Sequence, residues 1–447
     1  MTLSIAKILV TTWGCPWNYD ATLKRYSGFR WSEVEYVLDN NRLKSRTILP
    51  LLYDLIKPSK CIIIVLDTVA YKYYRDYNEL INDVIGLYKD FIRDIGLDPR
   101  NVDIIVAPGA GYYSNGIFEG YIYDYKVYTA FEISYRIIDD IRENDVAELH
   151  LDLSHGVNYM PTLTYMVIRD LASILAVFKT VKLTVYNSEP YTSGAKKLTI
   201  HVIEKTDTFP WPRYSMVYDK KFFIRAKLQA EERKELDQRI KDIMKKIFES
   251  RGYRLREVNC FMASIQNGLP LALYRFYISY GVLYELLEHL IKLYKEYIIV
   301  KYANSKLHVA KRLGLGDSLY ELVKAYITSA LLTNIDRVHE PRIGLLNSVR
   351  ENVFKRNYIL NNMISRDLHS IMDRVTRYEK EHGFLTKWTP YDKIYGRGEY
   401  TFRDFVAHSG LLAKLIEVYK RDGKIYVRYK EKEIDKVIRF CEDILKP

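Results

Sequence analysis

The chain is 447 residues long and 48% hydrophobic, enough for two or three domains that each bury a core. Its longest apolar runs, such as CIIIVL at 61–66, fall short of the ~18 residues that span a bilayer; the opening MTLSIAKILVTTWG lacks the order of a secretory signal; and the scattered Cys15, Cys61, Cys260 and Cys441 make neither a zinc motif nor a disulfide framework, so a cytoplasmic protein without a membrane anchor is expected. The net charge of +12 is unevenly placed: residues 1–205 hold 23 Lys+Arg against 25 Asp+Glu, which leaves 45 against 31, a balance of +14, for residues 206–447. Such a basic half suits a polyanion, most simply nucleic acid, and equally suits a solvated helical surface.

In chain order, strand-like runs at 6–12, 61–67, 102–107, 147–154, 181–187 and 197–203 alternate with longer mixed segments, of which 77–96 and 129–141 read as helices. This alternation is the signature of βαβ units and predicts an α/β, Rossmann-like domain over residues 1–205. DTFPWPRYS at 207–215 carries two prolines and no helical pattern, and marks a boundary. Residues 206–260 read as a linker holding a long charged helix at 225–250. Apolar residues then recur at helical spacing through 272–298, 318–332 and 410–420, predicting an all-α domain over 261–447.

Open α/β sheets bind ligands where strands end and helix N-termini meet. Three segments take such places: TTWGCPWNYD (11–20), APGAGYYSNG (107–116) and LDLSHGVNYMP (151–161), the last opening a helix with Pro161 in its first turn. The second fails both nucleotide fingerprints. G-x-G-x-x-G would need glycine at Ser114, and a P-loop would need Gly-Lys where Gly116 precedes Ile117 and Phe118. Glycine-containing loops can still cradle phosphate with backbone N–H groups, and neighbouring aromatics can stack on bases. The candidate ligand residues are Trp13, Gly14, Gly109, Gly111, Tyr112, Ser154, His155, Gly156 and Asn158. Ordinary βα turns packed by aromatics would give the same pattern. Asp152, at a strand end, reads first as a cap for the following loop.

Near the C-terminus, YTFRDFVAHSG (400–410) sets Arg403 and His408 five positions apart. On an ideal helix that spacing is a turn of ~140°. The two serve one site only if the arginine reaches round or the helix begins inside the motif. The chemistry suits RNA cleavage: a histidine near neutral pKa can move the proton of a 2′-hydroxyl or a leaving group, and an arginine fork can hold a phosphate and its developing charge. With no H-E-x-x-H and no paired cysteines, no metal is expected. R-x4-H alone is a weak pattern.

Together with the Asp152-Leu153-Ser154-His155-Gly156 turn after a strand and the α/β-then-α order, this motif makes the chain similar to the CARF–HEPN ribonucleases that accompany type III CRISPR systems. The resemblance covers essentially the full length. The family's R-x4-6-H is matched by Arg403 to His408, with Asp404 where an Asn often follows the arginine. The resemblance implies a CARF domain over 1–205 that binds a cyclic oligoadenylate, the tetra-adenylate ring being favoured, as an allosteric activator. It implies a HEPN domain over 261–447 that cuts single-stranded RNA without cofactor or metal, leaving a 2′,3′-cyclic phosphate. His408 would be the general acid/base and Arg403 the phosphate clamp, each supplied by both subunits of a homodimer or larger homo-oligomer. KWTPYDKIYGRGEY (387–400) is the candidate RNA-contacting loop. The rival reading is a ligand-gated transcription regulator, for which 233–258 offers a partial helix-turn-helix.

Overall fold

The computed structural model describes residues 3–303, 306–333, 335–396 and 401–446. Strand β1 (Ile5–Trp13) is followed by two hairpins, β2 (Trp17–Asp20) with β3 (Arg25–Phe29) and β4 (Val34–Leu38) with β5 (Asn41–Ser45). Then come α1 (Leu49–Ile56), β6 (Lys60–Leu66), α2 (Tyr77–Asp94), β7 (Asp103–Ala107), the short β8 (Gly111–Tyr113) and β9 (Gly116–Glu119), α3 (Ile122–Glu143), β10 (Val146–His155), α4 (Tyr159–Phe178), β11 (Thr180–Ser188) and β12 (Lys197–Asp207).

Among the described residues, eight strands form one sheet in the order β5-β4-β12-β11-β10-β1-β6-β7. Within it β11, β10, β1, β6 and β7 run parallel. The chain builds outward from β1 through β6 to β7, then returns to lay β10 and β11 on the other side of β1. The strand order therefore reverses between β1 and β10, the kind of crevice in which open α/β sheets hold ligands. Parallel strands covered on both faces read as continuous apolar runs, and Ile62 through Leu66 are at most 2% exposed. Helix α4 is long and apolar enough to cross a membrane by length and composition, which corrects the expectation that no segment is. Its neighbours are β10, β11, α3 and, from the second half, a further helix, so it serves here as a core helix.

The second half comprises β13 (Phe223–Ile224), α5 (Ala230–Ile247), α6 (Leu255–Asn267), α7 (Pro270–Arg275), α8 (Tyr280–Glu296), β14 (Ile298–Ala303), β15 (Lys306–Lys311), β16 (Gly314–Leu315), α9 (Asp317–Leu331), α10 (Ile343–Asn352), α11 (Tyr358–His382), β17 (Thr389–Pro390), α12 (Tyr391–Tyr395), α13 (Phe402–Ala407), β18 (Ile416–Arg421), β19 (Lys424–Tyr429) and α14 (Ile434–Ile444). It is mainly helical, departing from an all-α pattern in the β14–β15 hairpin and in the strands near the C-terminus. The helix expected at 410–420 is a turn followed by β18. Leu411, Leu412, Leu415 and Ile416 fit a helical period, but Ile416 and Val418 alternate as a strand does, and Asp422-Gly423, with φ of 48° and 70°, turns that strand into β19. The helix expected over 272–298 is two, α7 and α8, because periodicity reports which residues are buried and not whether the backbone is continuous.

The two halves share one core. Helix α9 is buried from Ser318 to Leu331 and packs on α3, α4, α6 and α8. Strand β15 pairs in parallel with β9 of the first half. The stretch expected as a linker is stitched down: the backbone N–H groups of Tyr214, Ser215 and Val217 donate to the side chains of Gln266, Glu321 and Asn259, each at 2.8 Å. The partial helix-turn-helix at 233–258 resolves into α5 and the start of α6. Because α6 is buried from Glu257 to Ile265, it has no free face for a DNA groove.

Candidate active site and ligand-binding loops

Thr401 and Asp404 start α13 as a capping box. The Thr401 N–H donates to Asp404 Oδ2 at 2.7 Å, and the Asp404 N–H donates to Thr401 Oγ1 at 3.4 Å. The Thr401 N–H and the Thr401 hydroxyl, both donating to its carboxylate, hold Asp404 below the usual carboxyl range and give it a structural task. The helix closes just as locally: Gly410 N–H reaches Phe405 O at 2.9 Å and Ser409 N–H reaches Val406 O at 3.2 Å, a Schellman pattern. Ser409 takes the left-handed position, φ 52°, where glycine is usual. The motif is thus one six-residue helix, with Arg403 in its first turn and His408 at its C-cap.

His408 faces a cleft of about 360 Å³ between α11, α12 and the motif. Arg366, Asp367 and Ser370 line it from α11, Tyr391 and Tyr395 from α12, and Asp404 and Lys414 from the motif and the turn beyond. The His408 side chain is 44% exposed, with Nδ1 3.4 Å from Asp367 Oδ1. The buried Ser409 hydroxyl donates to Asp367 Oδ2 at 3.1 Å, and Arg366 Nη2 donates to Ala407 O at 2.8 Å. Arg403 is exposed, does not line this cleft, and makes no side-chain hydrogen bond or ion pair among the described residues. Within one chain Arg403 therefore stands outside the cleft that His408 lines.

Sequence reasoning missed Asp367. The signal was available, since it falls in the buried stripe Ile364, Leu368, Ile371, Val375 of α11, where a lone carboxylate needs partners. A shallow groove of about 580 Å³ continues from the cleft along α11, carrying Arg366, His369, Arg374 and Arg377. Arg374 lies 4.0 Å over the half-exposed Tyr395 ring. Of the segment 387–400, Trp388 is packed between Arg428 and Tyr419, Tyr391 is buried, and residues 397–400 lie outside those described.

The candidate ligand residues gather at the carboxyl edge of β1, β7 and β10, with Trp13 paired in register to His155. Their roles divide. Trp13 is fully buried and meets Trp31 and Phe91 edge-on, so its ring belongs to the core. The N–H groups of Gly14 and Gly109, expected to cradle phosphate, are already occupied by His155 O and Asp67 Oδ1, each at 2.7 Å. Asp152 caps the third loop as expected, accepting from Ser154 N–H at 2.8 Å, and Ser154 Oγ accepts from Ser188 N–H at 2.9 Å. The His155 ring lies 4.6 Å from that of Trp31, and burial lowers its pKa. A Cβ on Gly156 would come 2.6 Å from Thr12 Oγ1, so any side chain there forces its neighbours to shift. Gly111 opens β8 at φ 147°. Tyr112, 85% exposed, and the exposed Asn158 at the start of α4 remain open to solvent. Beside these loops lies a pocket of about 300 Å³ whose lining includes the candidates Trp13 and Gly14, the neighbouring loop aromatics Trp17 and Tyr113, and the unanticipated Arg30 and Asn115.

Comparison with known proteins finds the same two parts. A family model described as the CARF domain of CRISPR system endoribonuclease Csx1 matches residues 8–190, and one described as the HEPN domain of the same enzyme matches residues 357–431, which hold α11 and the R-x4-H helix. CRISPR system endoribonuclease Csx1 of Methanocaldococcus jannaschii is 32% identical, with 94% of this chain and 89% of that protein covered.

Proposed function

The chain belongs to the Csx1 family of CRISPR system endoribonucleases, which join a CARF to a HEPN domain, and from that premise we propose that a cyclic oligoadenylate switches it on and that it cuts single-stranded RNA in the cytoplasm without a metal ion. The observation that carries the reading is His408 at the edge of an open cleft, fixed by a cap at each end of α13. Neutral at Nε2, it takes the proton of a 2′-hydroxyl. The 2′-oxygen then bonds to the adjacent phosphorus, the bond from phosphorus to the 5′-oxygen breaks, the 5′-oxygen leaves with a proton given by the protonated His408 of the second copy, and the product ends in a 2′,3′-cyclic phosphate. Arg403 stabilises the charge that gathers on the phosphate oxygens. Its exposure supports a site built by two copies, each bringing Arg403 and His408. The arginines along α11 suit the phosphates of a strand leaving the cleft.

The activator end rests on the loops at the β1–β10 reversal. A pocket of about 300 Å³ is at the small end of ordinary ligand sites, ~300–1,000 Å³. A ring of several adenylates needs that surface repeated, which again favours a homodimer and, with it, the tetra-adenylate ring. The transcription-regulator reading has lost its helix-turn-helix.

The test is incubation of labelled RNA with the protein and each ring size of cyclic oligoadenylate in EDTA. One ring should accelerate cleavage and leave 2′,3′-cyclic phosphate ends. No acceleration by any ring would remove the activator, and a strict need for Mg²⁺ or Mn²⁺ would remove the metal-free mechanism.

A further inference from the structure

Nothing in the R-x4-H motif calls for Asp367, yet α11 presses this carboxylate against the His408 ring. Burying a carboxylate among Ile364, Leu368 and Ile371 is unfavourable unless hydrogen bonds compensate it. Its oxygens are divided between two consecutive residues of the motif: Oδ1 faces His408 Nδ1 at 3.4 Å, beside the Arg366 guanidinium at the same distance, and Oδ2 accepts from the Ser409 hydroxyl at 3.1 Å. Ser409 sits at φ 52°, a conformation in which a residue with a Cβ is strained and glycine is not. What a serine supplies there, and a glycine cannot, is the hydroxyl that holds Asp367. The left-handed turn brings residues 408 and 409 onto one carboxylate.

We infer that Asp367 is a positioning residue for His408, an inference that rests on the reading that His408 moves the proton. An ionised carboxylate only accepts, so Nδ1 carries the hydrogen in this contact and Nε2 keeps its lone pair for the cleft. When Nε2 takes the proton of a 2′-hydroxyl, the same carboxylate faces the imidazolium that forms. The other charged groups around the ring are Asp404, which is held by Thr401, and Arg366, which donates to Ala407 O and stands 3.4 Å from the same Asp367 Oδ1. Arg403 lies outside the cleft, and Tyr391, Tyr395 and Lys414 line it.

The experiment uses the full-length protein under conditions in which the parent cleaves RNA, with Asp367→Asn, Ser409→Gly and His408→Ala compared for kcat, KM, the pH profile of kcat/KM, and thermal unfolding. Asparagine keeps the shape and can still accept from Ser409, but it offers an N–H to Nδ1 and so favours the wrong tautomer. Its kcat should fall roughly 10²–10⁴-fold with KM nearly unchanged. The histidine limb of its pH profile should move to lower pH, because the imidazolium has lost its anion. Ser409→Gly should lower kcat several-fold, about 3–10, with the limb shifted the same way. The inference is overturned if Asp367→Asn keeps kcat within about threefold and the parent's pH profile while His408→Ala is inactive. It is overturned equally if kcat falls together with the unfolding temperature and the limb does not move, since Asp367 would then act on the fold alone. Full activity in His408→Ala would instead remove the site reading itself, an outcome the Asp367→Asn arm cannot mimic.

Discussion

His408 ends a helix whose caps lie in the backbone and in Thr401, so removing its ring leaves the fold intact. His408→Ala should therefore cost ~10²–10⁴-fold in rate with unchanged thermal unfolding and RNA binding; a fully active variant ends the assignment. Arg403→Ala should do comparable damage, and Arg403→Lys should restore only part of it, because a point charge lacks the planar fork that spans two phosphate oxygens. Rates for the three variants, measured side by side, check both statements. Thr401→Ala acts differently. It strips the cap that starts α13 and should cost about 1 kcal/mol of stability, with a loss of rate that osmolytes partly restore. Asp404, the departure from the family pattern at the sequence level, is accounted for by this same cap.

At the scale of elements, β15 reaches under the loop after β7. Lys311 Nζ donates to Gly109 O at 2.7 Å and pairs with Asp67 at 2.8 Å, both side chains fully buried. Lys311→Met leaves the buried carboxylate without its counter-charge, held by the Gly109 N–H and the Tyr77 hydroxyl, and should cost ~3–5 kcal/mol. Adding Asp67→Asn should return part of that, a coupling that urea unfolding of the two singles and the double will read. Nearby, Asp124 on α3 accepts from Leu315 N–H at 2.7 Å and Tyr294 OH at 3.0 Å, and burial pushes its carboxyl up to about 7. An unfolded Asp titrates near ~3.9. Between those values the native state holds a proton that the unfolded state has lost, so the stability Asp124 contributes is full below about 4 and falls as pH rises through 7. Unfolding free energies of the parent minus those of Asp124→Asn should decline across that window; a flat difference would show that Asp124 titrates normally.

Across the whole molecule, the ligand loops and the cleft are joined by a continuous core that runs from α3 and α4 through α9 and α6 to α14 and α13. Activation by a ligand at the β1–β10 reversal requires that the ligand bind the active state more tightly than the resting one. Gly156→Ala, whose Cβ would crowd Thr12 Oγ1 at 2.6 Å, should displace the activator dose–response to higher concentration and leave the maximal rate alone. His408→Ala should lose the maximal rate at every concentration. The coupling idea fails if a folded Gly156→Ala responds to cyclic oligoadenylate as the parent does, or if it loses basal and activated cleavage equally.

The sequence alone determined the α/β order, since alternating apolar strands and helices need no tertiary information to be seen. It also determined the Arg403–His408 motif and the capping role of Asp152, both of which are local in the chain. Two signals lay in it unread: the Asp422-Gly423 hairpin turn and the carboxylate in the apolar stripe of α11. What only the tertiary structure decided depends on residues far apart in sequence. Gly14 and Gly109 had their N–H groups occupied by partners at the ends of other strands or just beyond them, and Trp13 was drawn into the core by Trp31 and Phe91. The segment read as a linker was bound down by Gln266, Glu321 and Asn259. Asp367, 41 positions before His408, met its ring only because α11 and α13 pack together. Periodicity tells which side of an element is buried; it does not tell what it is buried against, and the chemistry of the cleft lies in that second fact.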